Sequence, residues 1–209
     1  MIERIEQIER SEPNGPIAGV VLAAGLSSRM GRNKLLLEFG GLSLLRRAVL
    51  TAGAAGLEPV LVVVGHEEER TRAQLLGLTC TAVFNPDYAS GMNTSLRAGI
   101  AAVPEGAAGA VVLLGDMPFV TAAMVRELVA RYRAAALPLA LSVYDGVVAP
   151  PILYGRALFA ELRALSAEAC GKSIVQQHRG EALELSWPAD ALTDLDLPAD
   201  IDRVRAALE

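Results

Sequence analysis

The chain has 209 residues, of which 52% are hydrophobic, 21% are charged and only 4% are aromatic, and its formal net charge is −5. This length and composition indicate one globular domain with a core of Ala, Val and Leu, and they exclude a disordered chain. The acidic balance and the lack of clustered basic residues argue against nucleic-acid binding, which needs cations to neutralise phosphates.

No apolar run approaches the roughly 20 residues that a membrane span requires. The N-terminal residues are charged and lack the apolar region of a signal peptide, so we expect a cytoplasmic protein. Cys80 and Cys170 are far apart and show no metal-ligand spacing, which indicates two reduced thiols. Because aromatic residues are few, the sequence indicates no adhesive surface, and we expect a monomer. Residues 1–16 are predicted to form a tail, and residues 17–209 a single domain.

The first predicted element is a buried strand at Ile17–Leu22. Its apolar run is broken only by Gly19, as is typical of the inner strands of a parallel sheet. A loop of small residues follows and contains the cations Arg29 and Lys34. Small residues let the backbone approach a ligand, and the N–H groups of such a loop point at anionic oxygens. The loop therefore favours binding of a nucleoside triphosphate, although plain turns share its composition.

Strands and helices alternate in the next part of the chain. Ser43 is placed to cap a helix at Leu44–Ala55, and Gly56 is placed to end it. Two apolar strands separated by a polar helix follow, at residues 59–64, 67–76 and 79–84. This alternation predicts a parallel sheet with right-handed crossovers.

Polar turn residues run into a predicted helix within Asn85–Gly99. Asn93 or Thr94 is a suitable cap. The N-terminus of a helix presents unpaired N–H groups and the positive end of its dipole. The segment is therefore either an ordinary capped helix or a loop that reads a base or a ribose.

The apolar run Ala110–Leu114 predicts a central strand that ends at Asp116. In open α/β sheets, ligands bind at the carboxyl ends of the strands. A carboxylate at this point suits Mg²⁺, which takes one or two carboxylates together with phosphate oxygens. The alternative is that Asp116 only caps the following helix. Thr121 is predicted to cap a helix over residues 122–134.

The last third of the chain is predicted to contain two strands and two helices. Pro150 and Pro151 exclude a central-strand position for the segment around them. The predicted elements are a strand at 139–143, a helix at 156–165, a strand at 181–186 and a helix at 201–208.

The loop after the first strand carries a family resemblance. Leu22-Ala23-Ala24-Gly25, Ser28-Arg29-Met30-Gly31 and Lys34 resemble the signature of the nucleotidyltransferases, and most closely that of the molybdenum cofactor cytidylyltransferases and their guanylyltransferase relatives. The guanylyl branch has two glycines where this chain has Ala24 and Gly25, which favours the cytidylyl branch. The resemblance implies an α/β three-layer sandwich with a mostly parallel Rossmann-like sheet, of the nucleotide-diphospho-sugar transferase type.

The same resemblance implies roles for individual residues. Arg29, Lys34 and Asp116 would be catalytic, and Asp116 would hold Mg²⁺ with Asp196 or Asp194. The remaining nucleotide-binding residues would be Leu22, Ala23, Ala24, Gly25, Ser28, Gly31, Gly91, Met92, Asn93 and Ser95. In the second loop, the backbone of Gly91 and Met92 and the side chains of Asn93 and Ser95 would contact the nucleotide.

The predicted acceptor side departs from the family pattern. Pro150 stands where the family often has a histidine. The family also has a Gly-Asp-x-Gly-Ala-Arg element, in which Lys172 replaces the arginine. The acidic residue of that element is displaced to Glu168 or lost. Pro151 and Lys172 remain the predicted acceptor-binding residues. The departure leaves the identity of the acceptor open.

The reaction implied is attack by a bound phosphate on the α-phosphate of a nucleoside triphosphate, because no Ser-His-Asp or Cys-His set accompanies these residues. The resemblance implies CTP as donor and the terminal phosphate of a molybdopterin-type cofactor as acceptor, with a molybdoenzyme or its maturation chaperone as a further partner. The alternatives are guanylyl transfer to the same acceptor, a sugar- or polyol-phosphate nucleotidyltransferase, and a non-catalytic cofactor-insertion chaperone. A Rossmann oxidoreductase is disfavoured, since Gly25 and Gly31 do not form Gly-x-Gly-x-x-Gly.

Overall fold

The computed structural model describes residues 15–27, 30–166, 171–193, 195 and 200–208. The strands are β1 (Ile17–Ala23), β2 (Glu38–Phe39), β3 (Leu42–Ser43), β4 (Val60–Val64), β5 (Thr81–Phe84), β6 (Gly109–Leu114), β7 (Leu139–Tyr144), β8 (Val147–Gly155) and β9 (Ala182–Trp187). The helices are α1 (Leu44–Ala54), α2 (Glu68–Ala73), α3 (Met92–Ala101), α4 (Ala122–Ala135), α5 (Phe159–Ala164), α6 (Gly171–Gln177) and α7 (Asp200–Leu208).

The main sheet has the order β5-β4-β1-β6-β8-β7-β9, counted over the described residues. Its pairings are parallel except for the two made by β8, which runs against its neighbours β6 and β7. Alternate residues of β1 enter two cores, so that Val21 packs with α1 and α4, whereas Val20 packs with α3, α5 and α6. Helices therefore cover both faces, and the predicted three-layer α/β fold with a mostly parallel sheet is confirmed.

The prediction that the prolines exclude a central strand is wrong. Pro150–Pro151 lies in β8, between β6 and β7. However, β6 pairs only with residues 152–155, and the register towards β7 shifts between Leu141 and Ser142. Proline is tolerated here because the hydrogen-bond ladder is interrupted on both sides. The Tyr144 hydroxyl donates to the Pro150 carbonyl at 2.9 Å, and burial raises the pKa of this phenol.

Two of the predicted helix caps are confirmed and a third is wrong. Ser43 Oγ accepts a hydrogen bond from Arg46 N–H at 3.3 Å, and Thr121 Oγ1 caps α4 in the same way. In contrast, α3 begins at Met92, so that neither Asn93 nor Thr94 is its cap. Within the described residues, no helix is long and apolar enough to cross a membrane.

Helix α3 lies unusually close to the sheet because of Gly99. A side chain at this position would collide with Val20 of β1, and its Cβ would lie 3.0 Å from Val63 Cγ2 of β4. Since protein interiors are close-packed, the helix cannot take a larger residue here without moving.

We expect Gly99→Ala to lower the free energy of unfolding by about 1–3 kcal/mol, the usual cost of overpacking a core. The matched control is Gly53→Ala in α1, where an added Cβ meets nothing within 4 Å. This change should raise the free energy of unfolding by about 0.5–1 kcal/mol, because alanine is the better helix former. Urea unfolding measures both values, and a Gly99→Ala protein as stable as the control would contradict the packing argument.

Candidate active site

The loop that follows β1 lies at the carboxyl edge of the sheet. It turns through Ser27, which has a positive φ of 49° and whose carbonyl accepts a hydrogen bond from Met30 N–H at 3.0 Å. The Ser27 hydroxyl also accepts a hydrogen bond from the backbone N–H of Lys34 at 3.3 Å. These two bonds bring Lys34 back towards the end of β1. Ser28 and Arg29, two of the predicted nucleotide ligands, lie outside the described residues.

An ion pair joins this loop to the end of β6. Lys34 Nζ lies 2.6 Å from Asp116 Oδ2, and the two side chains are only 13% and 17% exposed. The contact depends on the approach of the two strand ends, where Gly115 N–H donates to Leu22 O at 3.1 Å. A Cβ at Gly115 would lie 3.1 Å from Leu35 Cδ2, so glycine leaves room for this approach. The structure therefore brings together two residues that the sequence analysis selected separately.

A buried polar network holds the loop that precedes α3. Asn85 is 2% exposed, and its Nδ2 donates to Thr94 Oγ1 at 2.8 Å and to Ser95 Oγ at 3.0 Å. Asn85 Oδ1 accepts a hydrogen bond from Asp87 N–H at 3.0 Å. The Thr94 hydroxyl donates to Gly91 O at 2.8 Å. Because buried polar networks of this kind are costly to break, these hydrogen bonds hold the loop against the start of α3.

The predicted nucleotide-reading residues of this loop are divided between two environments. Gly91, with a φ of 116° that favours glycine, and Met92, which is 63% exposed, both line a cleft. In contrast, Ser95 is 5% exposed, and its hydroxyl is bound within the buried network. Asn93 Oδ1 accepts a hydrogen bond from Gly171 N–H at 2.9 Å. The side chains of Asn93 and Ser95 thus make internal hydrogen bonds.

The two loops face each other across a cleft of about 450 Å³, a size typical of small-molecule sites. The predicted residues that line it are Leu22, Ala24, Gly25, Lys34, Gly91, Met92 and Asp116. Further lining residues are Leu26, Ser27, Met30, Leu35, Tyr88, Ala89 and Leu114. The predicted residues that are described but do not line it are Ala23, Gly31, Asn93, Ser95, Pro151 and Lys172.

Tyr88 is a wall residue that the sequence analysis did not assign. Its side chain packs so closely on the end of β4 that a Cβ at Gly65 would lie 2.6 Å from Tyr88 Cβ and 2.9 Å from Ala24 Cβ. The available signal was a single aromatic residue in a loop of small and polar residues. Ser27 is harder to recognise from the sequence, because its role depends on the hydrogen bond that its hydroxyl accepts from Lys34 N–H.

The two predicted acceptor residues lie apart from the cleft lining. Pro151 is buried in β8, and its carbonyl accepts a hydrogen bond from Ser142 Oγ at 2.7 Å. Lys172 lies in the first turn of α6 and is exposed to solvent. At the other end of α6, His178 Nε2 lies 2.9 Å from Glu161 Oε2 of α5.

Asp116 has the chemistry of a Mg²⁺ ligand. Magnesium in nucleotide sites is held by one or two carboxylates, with substrate phosphates supplying further oxygens. Asp116 lines the cleft and offers one carboxylate. The described residues contain no cluster of three or more His, Cys, Asp and Glu side chains that would hold a metal without a substrate. Asp194 and Asp196 lie outside the described residues. The residues present therefore fit a cation that enters with a phosphorylated substrate.

Comparison with known proteins gives one family. Residues 19–182 match the model of the MobA-like NTP transferase domain. The chain is 30% identical to the purine catabolism protein PucB of Bacillus subtilis over 208 residues, which cover 92% of this chain and 97% of PucB. It is 38% identical over 112 residues to an Opitutus terrae protein named "Probable molybdenum cofactor guanylyltransferase", with 54% of each chain covered. The chain spans only 24% and 26% of the length of two bifunctional relatives.

Solved structures agree with this assignment. Rv0371c of Mycobacterium tuberculosis superposes with a TM-score of 0.79 at 29% identity, covering 91% of this chain and 98% of that one. A manganese complex of the same protein gives a TM-score of 0.74 at 27% identity, covering 92% and 99%. The family model spans both strand ends of the cleft and both members of the Lys34–Asp116 pair. The chain therefore belongs to the MobA-like NTP transferase family and is a nucleotidyltransferase.

Proposed function

We propose that this nucleotidyltransferase moves CMP from CTP onto the terminal phosphate of a molybdopterin-type cofactor, in a Mg²⁺-dependent reaction that releases pyrophosphate. The observation that carries the proposal is the ion pair between Lys34 and Asp116 in the cleft lining. It offers a cation for phosphate oxygens and a carboxylate for a divalent metal ion. We further propose that residues 17–209 act as one domain and as a monomer.

The proposed reaction needs little covalent chemistry from the protein. An oxygen of the acceptor phosphate forms a bond to the α-phosphorus of the nucleotide, and the bond from that phosphorus to the oxygen bridging it to the β-phosphorus breaks. The attacking group is already an anion, so that its activation requires no protein base. The chain has to align the two phosphates and neutralise their charge.

Lys34 and Asp116 have separate roles in this scheme. The Lys34 ammonium binds oxygens of the triphosphate and stabilises the pyrophosphate as it leaves, and Arg29 is proposed to assist it. Asp116 would hold Mg²⁺, with Asp196 as the proposed second ligand. A bound Mg²⁺ would orient the phosphate oxygens of donor and acceptor and offset their charge.

The choice of CTP rests on Ala24. Ala24 lines the cleft, and its methyl group lies close to Gly65 and Tyr88, so that it leaves less room at this side of the cleft. A glycine at this position would leave more room for a purine base. GTP is the competing donor, because the Opitutus relative is named "Probable molybdenum cofactor guanylyltransferase".

Pyrophosphate release with Mg²⁺ and molybdenum cofactor tests the proposal, with CTP, GTP, ATP and UTP offered separately. We expect release with CTP. Asp116→Asn should lower kcat/KM about 100-fold or more, because the carboxylate that holds the metal is worth several kcal/mol in the transition state. Asp190→Asn, which changes an exposed carboxylate outside the cleft lining, is the matched control and should leave kcat/KM unchanged. Release with GTP alone would assign guanylyl transfer, and no release with any nucleotide would overturn the proposal.

Replacement of Lys34 tests the phosphate-binding cation. Lys34→Met should lower kcat/KM for CTP about 100-fold, as expected for loss of one electrostatic donor in a cleft. Lys34→Arg should recover part of the activity, because it keeps the charge but changes the geometry. Arg131→Met removes a cation that is 60% exposed on α4 and should have no effect. Wild-type kinetics in Lys34→Met would show that the ion pair is only structural.

The role of Ala24 predicts a change in nucleotide preference. Ala24→Gly should raise the ratio of kcat/KM for GTP to that for CTP about tenfold, the effect typical of one methyl group in a binding pocket. Ala18→Gly is the matched control, because Ala18 is a buried alanine of β1 in the same core as Ala24 and does not line the cleft. An unchanged ratio in Ala24→Gly would mean that this residue does not select the base.

A further inference from the structure

The contacts of α3 extend beyond the cleft to the two helices that follow β8. Asn93 and Arg97 lie one helical turn apart on α3, so that their side chains share one face. Asn93 Oδ1 accepts a hydrogen bond from the N–H of Gly171, the first residue of α6, at 2.9 Å. Arg97 Nη1 donates to the carbonyl of Leu165, at the end of α5, at 3.2 Å. One face of α3 therefore holds both the end of α5 and the start of α6.

Both hydrogen bonds are made to backbone groups at helix ends, which have no partner within their own helix. The start of α6 is also packed directly on α3, since a Cβ at Gly171 would lie 3.1 Å from Leu96 Cδ2. The far end of α6 is joined to α5 through His178 and Glu161. The position of α6 thus follows that of α3.

We propose that Asn93 is a positioning residue for the acceptor and not a reader of the nucleotide. Its neighbour Met92 lines the cleft, and Lys172 directly follows the Gly171 amide that Asn93 holds. Asn93 therefore keeps an exposed cation beside the end of α3 that borders the cleft. A phosphorylated acceptor needs such a cation, because it must approach a triphosphate of the same charge sign. This role rests on the proposed function, because it assumes an anionic acceptor.

Steady-state kinetics of Asn93→Ala, Lys172→Ala and the double variant test the role. Each single variant should raise the KM for molybdenum cofactor about five- to tenfold, with the KM for CTP within about twofold of wild type. The double variant should equal Lys172→Ala, because a positioning residue acts through the residue that it positions. Gln176→Ala changes an exposed residue of α6 and is the control. Additive effects of the two changes, or a raised KM for CTP in Asn93→Ala, would overturn the proposal.

Two measurements need no acceptor. In Asn93→Ala, the affinity for CTP with Mg²⁺, measured by titration calorimetry, should be unchanged, whereas hydrogen exchange of the α6 amides should accelerate. Asn93→Asp keeps an oxygen that accepts from Gly171 N–H and should restore the protection. Weaker CTP binding with intact α6 protection would overturn the positioning role. If the wild-type protein releases no pyrophosphate with this acceptor, the proposed function fails, and these two measurements still decide between positioning and nucleotide reading.

Discussion

The approach of the carboxyl ends of β1 and β6 is the constraint on which the cleft depends. The two strands pair in parallel with Leu22 opposite Leu114, and the hydrogen bond from Gly115 to Leu22 carries the pairing past the end of β6. Asp116, which follows β6, therefore lies beside the loop that follows β1, and Lys34 of that loop pairs with it. Because parallel strands end at the same edge, two distant parts of the chain supply one site.

The ion pair between Lys34 and Asp116 is largely buried, which bears both on the stability of the fold and on its proposed role in binding phosphate and metal. Taking charges out of water is costly, and removing one partner of such a pair leaves the other uncompensated. In the structure, Lys34 and Asp116 compensate each other. On the proposed function, a nucleoside triphosphate would give Lys34 phosphate oxygens and its divalent cation would give Asp116 a positive partner. Neither side chain would then be left without a counter-charge.

Features that depend on neighbouring residues could be predicted from the sequence. The buried strands, the caps at Ser43 and Thr121 and the place of Asp116 at a strand end all follow from local patterns. Features that depend on distant partners could not. The prolines of β8 are tolerated because its pairing with β6 stops at Ile152, although β6 itself continues to Leu114. Ser95 is buried where its hydroxyl accepts a hydrogen bond from Asn85, which follows a different element, β5.

Helix α3 connects the sheet, the cleft and α6 through three parts of its surface. Gly99 seats it on the sheet, its N-terminal residue Met92 lines the cleft, and Asn93 holds α6. At a rise of about 1.5 Å per residue, only about 10 Å of regular helix separates Gly99 from Met92. In a rigid helix of this length, the packing of Gly99 on the sheet fixes the position of the N-terminal end at Met92. On the proposed function, the cleft that takes the nucleotide and the acceptor-binding Lys172 beside it are therefore placed relative to each other by core packing, and flexible loops need not set that distance.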